Sequence, residues 1–257
     1  MDATSLRYGL HQRSKPQPVD GYDHRLQKLL DPASYLHTLD GTVTRIREVE
    51  MIERANLSAV DLDNPPSPFK IFDEWFELAK EHEPNDPNAM AIASIDPDGS
   101  PALRMVLLKQ HNDDGFVFYT NYESRKGKAL VESPKIAALF HWKCMLRQIR
   151  IEGTVEPVED ATADDYYHSR SRESQIGAWA SKQSRPLDHR TTLLERVERF
   201  QQLFDGWDVP RPPQWSGFRI VPKRFEFWQQ QPSRLHDRLI FERPAAGDAW
   251  ELSRLFP

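Results

Sequence analysis

Arg234, His236 and Arg238 stand in the run Ser233-Arg-Leu-His-Asp-Arg238 near the end of the chain. In an extended backbone, alternation puts all three on one face, with Leu235 and Asp237 on the other. A titratable imidazole framed by two fixed cations suits an anionic, redox-active or proton-exchanging ligand. Burying two guanidinium groups without partners would be costly. The same pattern also fits a solvated strand edge, so the other charged positions decide between the two readings.

Ser124-Arg-Lys126 opens a predicted helix. Free N–H groups and the helix dipole favour an anion there, and basic residues in a first turn oppose the dipole unless an anion is bound. The strand Arg104-Met-Val-Leu-Leu-Lys109 is apolar between two cations, which alternation places on opposite faces. They either snorkel to solvent or make two separate anion contacts. Tyr166, Arg170 and Ser174 are spaced i, i+4, i+8, so one continuous helix would align a phenol, a guanidinium and a hydroxyl, all able to donate to a phosphate. Gln183 and Ser184 add neutral donors in a loop, and Trp228 can stack on a flat ring. Together these donors exceed what one small anion needs and fit two phosphorylated ligands better.

The elements that must position these groups follow from periodicity. Phe69, Phe72, Trp75, Phe76 and Ala79 recur at helical spacing from Pro68 to about Glu81. The period then changes to that of strands: Met90–Ile95, an Asp-Pro-Asp-Gly turn and Leu103–Lys109 form a hairpin. Strands at Phe116–Thr120 and Ile136–Trp142 flank a helix at Glu123–Glu132, and Arg147–Pro157 is a long strand turning at Gly153. Helices follow at Ala161–Arg170 and Leu187–Phe204, with a helical turn at Gln175–Ala180. The closing strands are Gly217–Val221, Arg224–Trp228 and Leu239–Glu242, with a further one at Trp250–Leu255. Antiparallel strands with a few inserted helices predict a mainly β, α+β fold: a closed or split β-barrel with peripheral helices. Residues 1–55 lack sustained periodicity and read as a flexible extension; residues 56–257 read as the folded domain.

Composition removes several function classes. A net charge of −5 and a pI near 6.0 argue against general nucleic-acid binding. Cys144 is the only cysteine, which rules out an internal disulfide or a cysteine-rich cluster, and the histidines show no metal-ligand spacing. No G-x-G-x-x-G, Walker or nucleophile motif is present. No stretch has the apolar length of a membrane span, and the first fifty residues are too acidic for an organelle presequence, so the expected location is the cytoplasm.

Taken in order, Arg104–Lys109, Phe118-Tyr-Thr-Asn121, Ser124–Lys126, Arg147-Gln148, Tyr166–Arg170, Ser174–Ser184, Glu226-Phe-Trp228 and Arg234–Arg238 closely resemble the pyridoxine/pyridoxamine 5′-phosphate oxidase family, from about Asp61 through the ending Arg254-Leu-Phe-Pro257. The resemblance implies an FMN-binding split barrel that works as a homodimer, each flavin touched by both chains. It implies FMN contacts from Arg104, Met105, Val106, Leu107, Tyr119 and Thr120. Further contacts are implied from Arg125, Lys126, Gln148, Gln183, Ser184, Trp228 and Arg238. Lys109, Tyr166, Arg170 and Ser174 would hold the substrate phosphate, with Arg234 and His236 over its pyridine ring as the catalytic pair. The reaction implied is oxidation of pyridoxine 5′-phosphate or pyridoxamine 5′-phosphate to pyridoxal 5′-phosphate, with O2 as electron acceptor and H2O2 as product.

The chain also departs from that pattern. Where the family carries an Arg-rich lid segment ending in tyrosine, this chain has Glu48-Val-Glu-Met-Ile-Glu-Arg54. Gln230 replaces the glycine usual after Phe-Trp-Gln, and Ser216 replaces the first glycine after Trp215. Two other readings are a non-catalytic carrier of pyridoxal phosphate or FMN and a split-barrel flavoprotein with another substrate. Retention of both the phosphate clamp and the Arg234/His236 pair favours catalysis.

Overall fold

The computed structural model describes residues 56–257. The predicted extension and the divergent segment Glu48–Arg54 lie outside these described residues. Helix α1, Pro68–His82, begins where Ser67 accepts the amide of Phe69 and proline occupies the first turn. Its apolar stripe buries Phe69, Phe72, Trp75 and Phe76, and Phe72 meets Phe116 edge-on at 4.7 Å.

The strands form one antiparallel sheet. They are β1 Ala89–Ile95, β2 Pro101–Leu107, β3 Gln110–Asn112, β4 Gly115–Asn121, β5 Lys135–Trp142, β6 Arg147–Pro157, β7 Trp215–Gln229, β8 Asp237–Glu242 and β9 Glu251–Arg254. Their order is β2-β1-β5-β6-β7-β4-β3, with β8 on β7 and β9 on β8. The curled sheet wraps its apolar face around α1, which gives the half-barrel core.

β7 organises the sheet. One edge pairs with β6 along Phe218–Gln229; the other pairs with β4 along Trp215–Ile220 and with β8 along Arg224–Gln229. Pro222, which has no N–H to donate, sits at this change of partner. Opposite it, the register of β6 shifts between Glu152 and Gly153, and a Cβ on Gly153 would lie 2.1 Å from the Val221 carbonyl oxygen, so only glycine fits. The expected strands Gly217–Val221 and Arg224–Trp228 are therefore one bent strand.

Four more α-helices among the described residues sit around the sheet: α2 Arg125–Glu132, α3 Asp160–His168, α4 Arg172–Ala180 and α5 Arg190–Leu203. The expected helical turn at Gln175–Ala180 is a full helix, because Ser171 caps it by accepting the Ser174 amide. Around Tyr167, Ile176, Val209 and Trp215 a second, smaller core ties α3 and α4 to the start of β7.

Candidate active site

β2 is not the buried strand that its apolar run suggests. It lies on the sheet edge, with Leu103 and Met105 72% and 62% exposed, and Lys109 falls beyond its end. A cleft of about 530 Å3 opens beside it, of the size that holds a small organic ligand. Met105, Val106, Leu107 and Lys109 form one wall. Tyr119, Thr120 and Lys126 form the floor, and Tyr166, Arg170, Ser174 and Gln183 come from the helical side.

Tyr166, Arg170 and Ser174 reach the cleft by a route other than the single helix expected. α3 stops at His168 and α4 restarts at Arg172, so Arg170 lies in the joint between them. Gln175 fastens that joint through its amide, which donates to the carbonyls of Tyr167, His168 and Arg170. The break turns a straight face into a corner that still converges on one space.

The cleft is cationic. Its lining holds Lys109, Lys126 and Arg170 and no carboxylate. Burial lowers the Arg170 pKa, with Tyr166 and Tyr167 opposing the shift, and its buried Nη1 lacks a hydrogen-bond partner. Lys126 donates to Thr120 Oγ1 at 3.1 Å; burial first, then the charge of Arg104, lowers its pKa. α2 presents its first-turn amides nearby: Ser124 accepts the Gly127 amide, and the first intrahelical bond begins only at Lys128. A buried donor without an acceptor, cations depressed by burial and a free helix N-terminus all fit phosphate groups.

Aromatic rings form the apolar wall. Tyr119 stacks on Tyr166 at 4.0 Å and on Trp215 at 5.3 Å, while Arg170 lies 4.7 Å over Trp215. Trp215, Asn121 and Ser171 line the cleft without having been singled out from sequence. Only the pairing of Thr120 with Ser216 brings Trp215 beside Tyr119, so strand register was the missing information.

The remaining expected residues lie outside this lining. Arg104 turns its Nη1 to Ser94 Oγ at 2.7 Å and to the Ala102 carbonyl at 2.8 Å. Arg125 is paired with Asp96, its Nε 2.7 Å from Oδ2. Ser184 sits in an exposed turn at φ 67°. Gln148, Trp228 and Arg238 form a second group, because Gln148 pairs with Trp228 across β6 and β7 and Trp228 with Arg238 across β7 and β8. Arg238 is oriented by buried Glu226, with Nε 2.9 Å from Oε1. His236 packs against Trp228 at 4.6 Å.

The single extended face expected for Arg234, His236 and Arg238 is not formed. β8 begins only at Asp237, and Arg234 closes a 3-10 turn at Pro232–Arg234 with φ 63°. Pro232 and two successive left-handed residues, Ser233 and Arg234, interrupt the extended run. Arg238 is in the sheet, and Arg234 and His236 are on the loop that leads into it.

The chain is matched by two family models, Pyridoxamine 5′-phosphate oxidase over residues 78–204 and Pyridoxine 5′-phosphate oxidase C-terminal dimerisation region over 215–257. It is 60% identical over 190 residues to a pyridoxine/pyridoxamine 5′-phosphate oxidase of Sphingopyxis alaskensis, covering 74% of this chain and 87% of that one. A protein of the same name from Brucella abortus (strain 2308) is 52% identical over 209 residues, covering 81% of this chain and all of that one. Among solved structures, PhzG from Burkholderia lata 383, in complex with tetrahydrophenazine-1-carboxylic acid, superposes with a TM-score of 0.71 at 33% identity over 77% of this chain and all of that one. A pyridoxamine 5′-phosphate oxidase-related, FMN binding protein from Nostoc punctiforme superposes with a TM-score of 0.59 at 12% identity, over 76% of this chain and all of that one, and shares the fold.

Proposed function

The chain belongs to the pyridoxine/pyridoxamine 5′-phosphate oxidase family, and from that premise we infer that its cationic cleft and its Gln148/Trp228/Arg238 group are two halves of one flavin and substrate site. The protein is an FMN-dependent oxidoreductase that converts pyridoxine 5′-phosphate and pyridoxamine 5′-phosphate to pyridoxal 5′-phosphate. The single observation that carries the site assignment is the buried, unpartnered Nη1 of Arg170 in a cleft without carboxylates.

Its C-terminal dimerisation region supports a homodimer. The exposed apolar row Leu103, Met105 and Leu107 on β2 runs into the cleft, so a partner covering that row would also roof the site. We assign the cleft of one protomer and the Gln148/Trp228/Arg238 group of its partner to the same flavin. Residues 56–257 are assigned as the catalytic unit, acting in the cytoplasm. No helix among the described residues is long and apolar enough to cross a membrane.

In this assignment Lys126, with the first turn of α2, holds the FMN phosphate, and Met105, Val106, Leu107, Tyr119 and Thr120 line the flavin's bed. Arg104 and Arg125, held by Ser94 and Asp96, stand as charge beside the phosphate. Gln183 faces the same bed, and its Oε1 accepts the Asn121 amide at 3.4 Å. Ser184 would supply a neutral donor from the adjoining turn. Lys109, Tyr166, Arg170 and Ser174 fix the substrate phosphate, which sets the distance of C4′ from the flavin. Arg234 and His236 would close over the pyridine ring, Arg234 opposing its negative charge and His236 hydrogen-bonding it. FMN, held by these residues, would supply the two-electron redox chemistry of the oxidation, with O2 as the proposed final acceptor. The protein's own contribution is position, charge and exclusion of water.

PhzG shares the fold at 33% identity, whereas the relatives at 52–60% carry the oxidase name, and a phosphate clamp is what the latter substrates require. Air oxidation of pyridoxamine 5′-phosphate by the purified dimer tests the reading. One H2O2 released per pyridoxal 5′-phosphate formed is expected. Aldehyde without peroxide would reject O2 as the acceptor, and tight binding without turnover would favour the carrier.

A further inference from the structure

Gln231 bridges both ends of the loop that carries Arg234 and His236. Its backbone N–H donates to His236 Nδ1 at 3.2 Å, and its side-chain Nε2 donates to Asp237 Oδ2 at 2.7 Å. Sequence dictates this geometry. Gln231 precedes Pro232 and is held extended at φ −131° and ψ 158°. Pro232 brings no N–H of its own, and the left-handed pair Ser233 and Arg234 turns the chain back, with the Leu235 amide closing on the Pro232 carbonyl. The turn therefore returns His236 to the amide that precedes it.

A backbone N–H is only a donor, so Nδ1 of His236 is an acceptor and the neutral ring carries its proton on Nε2. The Trp228 ring, 4.6 Å away and tilted by 46°, packs beside the imidazole. Resting on the oxidase reading, we propose that Gln231 is a positioning residue that fixes His236 as the Nε2–H tautomer, so that the ring offers the substrate one oriented donor. The preference is built into the loop before substrate arrives. Gln231 does not line the cleft, and it acts only through His236 and Asp237.

The test is the imidazole nitrogen spectrum of the FMN-loaded dimer labelled with 15N-histidine, with His236 assigned by comparison with His236→Asn. Once the ring is neutral, Nε2 in the protonated range and Nδ1 in the unprotonated range are expected. The reverse pattern, or averaging between tautomers, would overturn the proposal. Gln231→Pro removes the N–H that Nδ1 accepts, so averaging of the His236 signals is expected, whereas Gln231→Leu keeps it and should keep the single tautomer; an unchanged tautomer in Gln231→Pro, or averaging in Gln231→Leu, would overturn the proposal. The reading needs no turnover. A protein with the expected tautomer but no flavin reduction by substrate would refute the oxidase, whereas flavin reduction with the wrong tautomer would refute only the role of Gln231.

Discussion

The guanidinium of Arg170 lies 4.7 Å over the ring of Trp215, with its Nη1 buried and unpartnered. The stack fixes the plane of a guanidinium that lines the cleft and has a hydrogen bond still to make, the arrangement that a phosphate would complete. A charge-assisted hydrogen bond contributes about 1.5–3 kcal/mol. Arg170→Lys should therefore raise the KM for pyridoxamine 5′-phosphate by roughly tenfold to a hundredfold, with a smaller change in kcat. Steady-state kinetics check this, and an unchanged KM would remove Arg170 from the phosphate site.

Lys126 gives a pH dependence of defined sign. Its pKa in the flavin-free protein is lowered, mainly by burial and further by Arg104, and FMN phosphate binds the charged ammonium. FMN affinity should then fall as pH rises through a value below the ordinary lysine pKa of about 10.4. Quenching of flavin fluorescence measures it. Lys126→Met should bind weakly at every pH and lack that step; a wild-type profile flat up to the ordinary lysine range would contradict the assignment.

Two glycines provide a matched pair. A Cβ on Gly127 would meet the Asn121 carbonyl oxygen at 2.5 Å and the Tyr122 Cα at 2.6 Å, whereas a Cβ on Gly177 would meet nothing within 4 Å. Gly127→Ala should cost about 1–3 kcal/mol and weaken FMN binding by moving the α2 N-terminus off β4. Gly177→Ala, inside α4, should gain up to about 1 kcal/mol and leave FMN affinity alone. Thermal unfolding and flavin titration of both variants decide the matter.

Arg147 is buried on β6, 4.6 Å over Trp75, with no carboxylate partner among the described residues. Burial lowers its pKa to about 10. Folding thus disfavours the protonated form: the penalty is complete below about pH 10 and fades as pH rises beyond it towards the ordinary guanidinium range. Arg147→Met should be as stable as the wild type or more so, by up to about 4 kcal/mol less what the Trp75 stack supplies. Its advantage should shrink between about pH 8 and about pH 10.5 in urea unfolding. A variant that loses stability equally at both values would show that the guanidinium has a partner of another kind.

Much of this was legible because periodicity reports burial directly. The α1 stripe and β6, Arg147–Pro157, follow from alternation that one face of the core imposes. The cationic residues of the cleft were legible because phosphate chemistry needs those side-chain types. The bend in β7 was not, since Pro222 reads as a strand end and is tolerated only where the strand exchanges β4 for β8. The loop before β8 was missed because Arg-x-His-x-Arg alternates like a strand, while the left-handed residues Ser233 and Arg234 turn the chain back so that His236 and Asp237 meet Gln231. Trp215 belongs to the cleft only through the β4–β7 register, which sets it opposite Asn121 and stacks it on Tyr119, a long-range fact that no local pattern records.

The central claim is that one cleft clamps a B6 phosphate against FMN closely enough for the substrate to reduce it. Anaerobic titration of the purified holoenzyme with pyridoxamine 5′-phosphate, followed by visible absorption, tests it most directly. Stoichiometric loss of the oxidised flavin band, restored by admitting air, is the result expected. A flavin band left intact under saturating pyridoxamine 5′-phosphate would contradict the account.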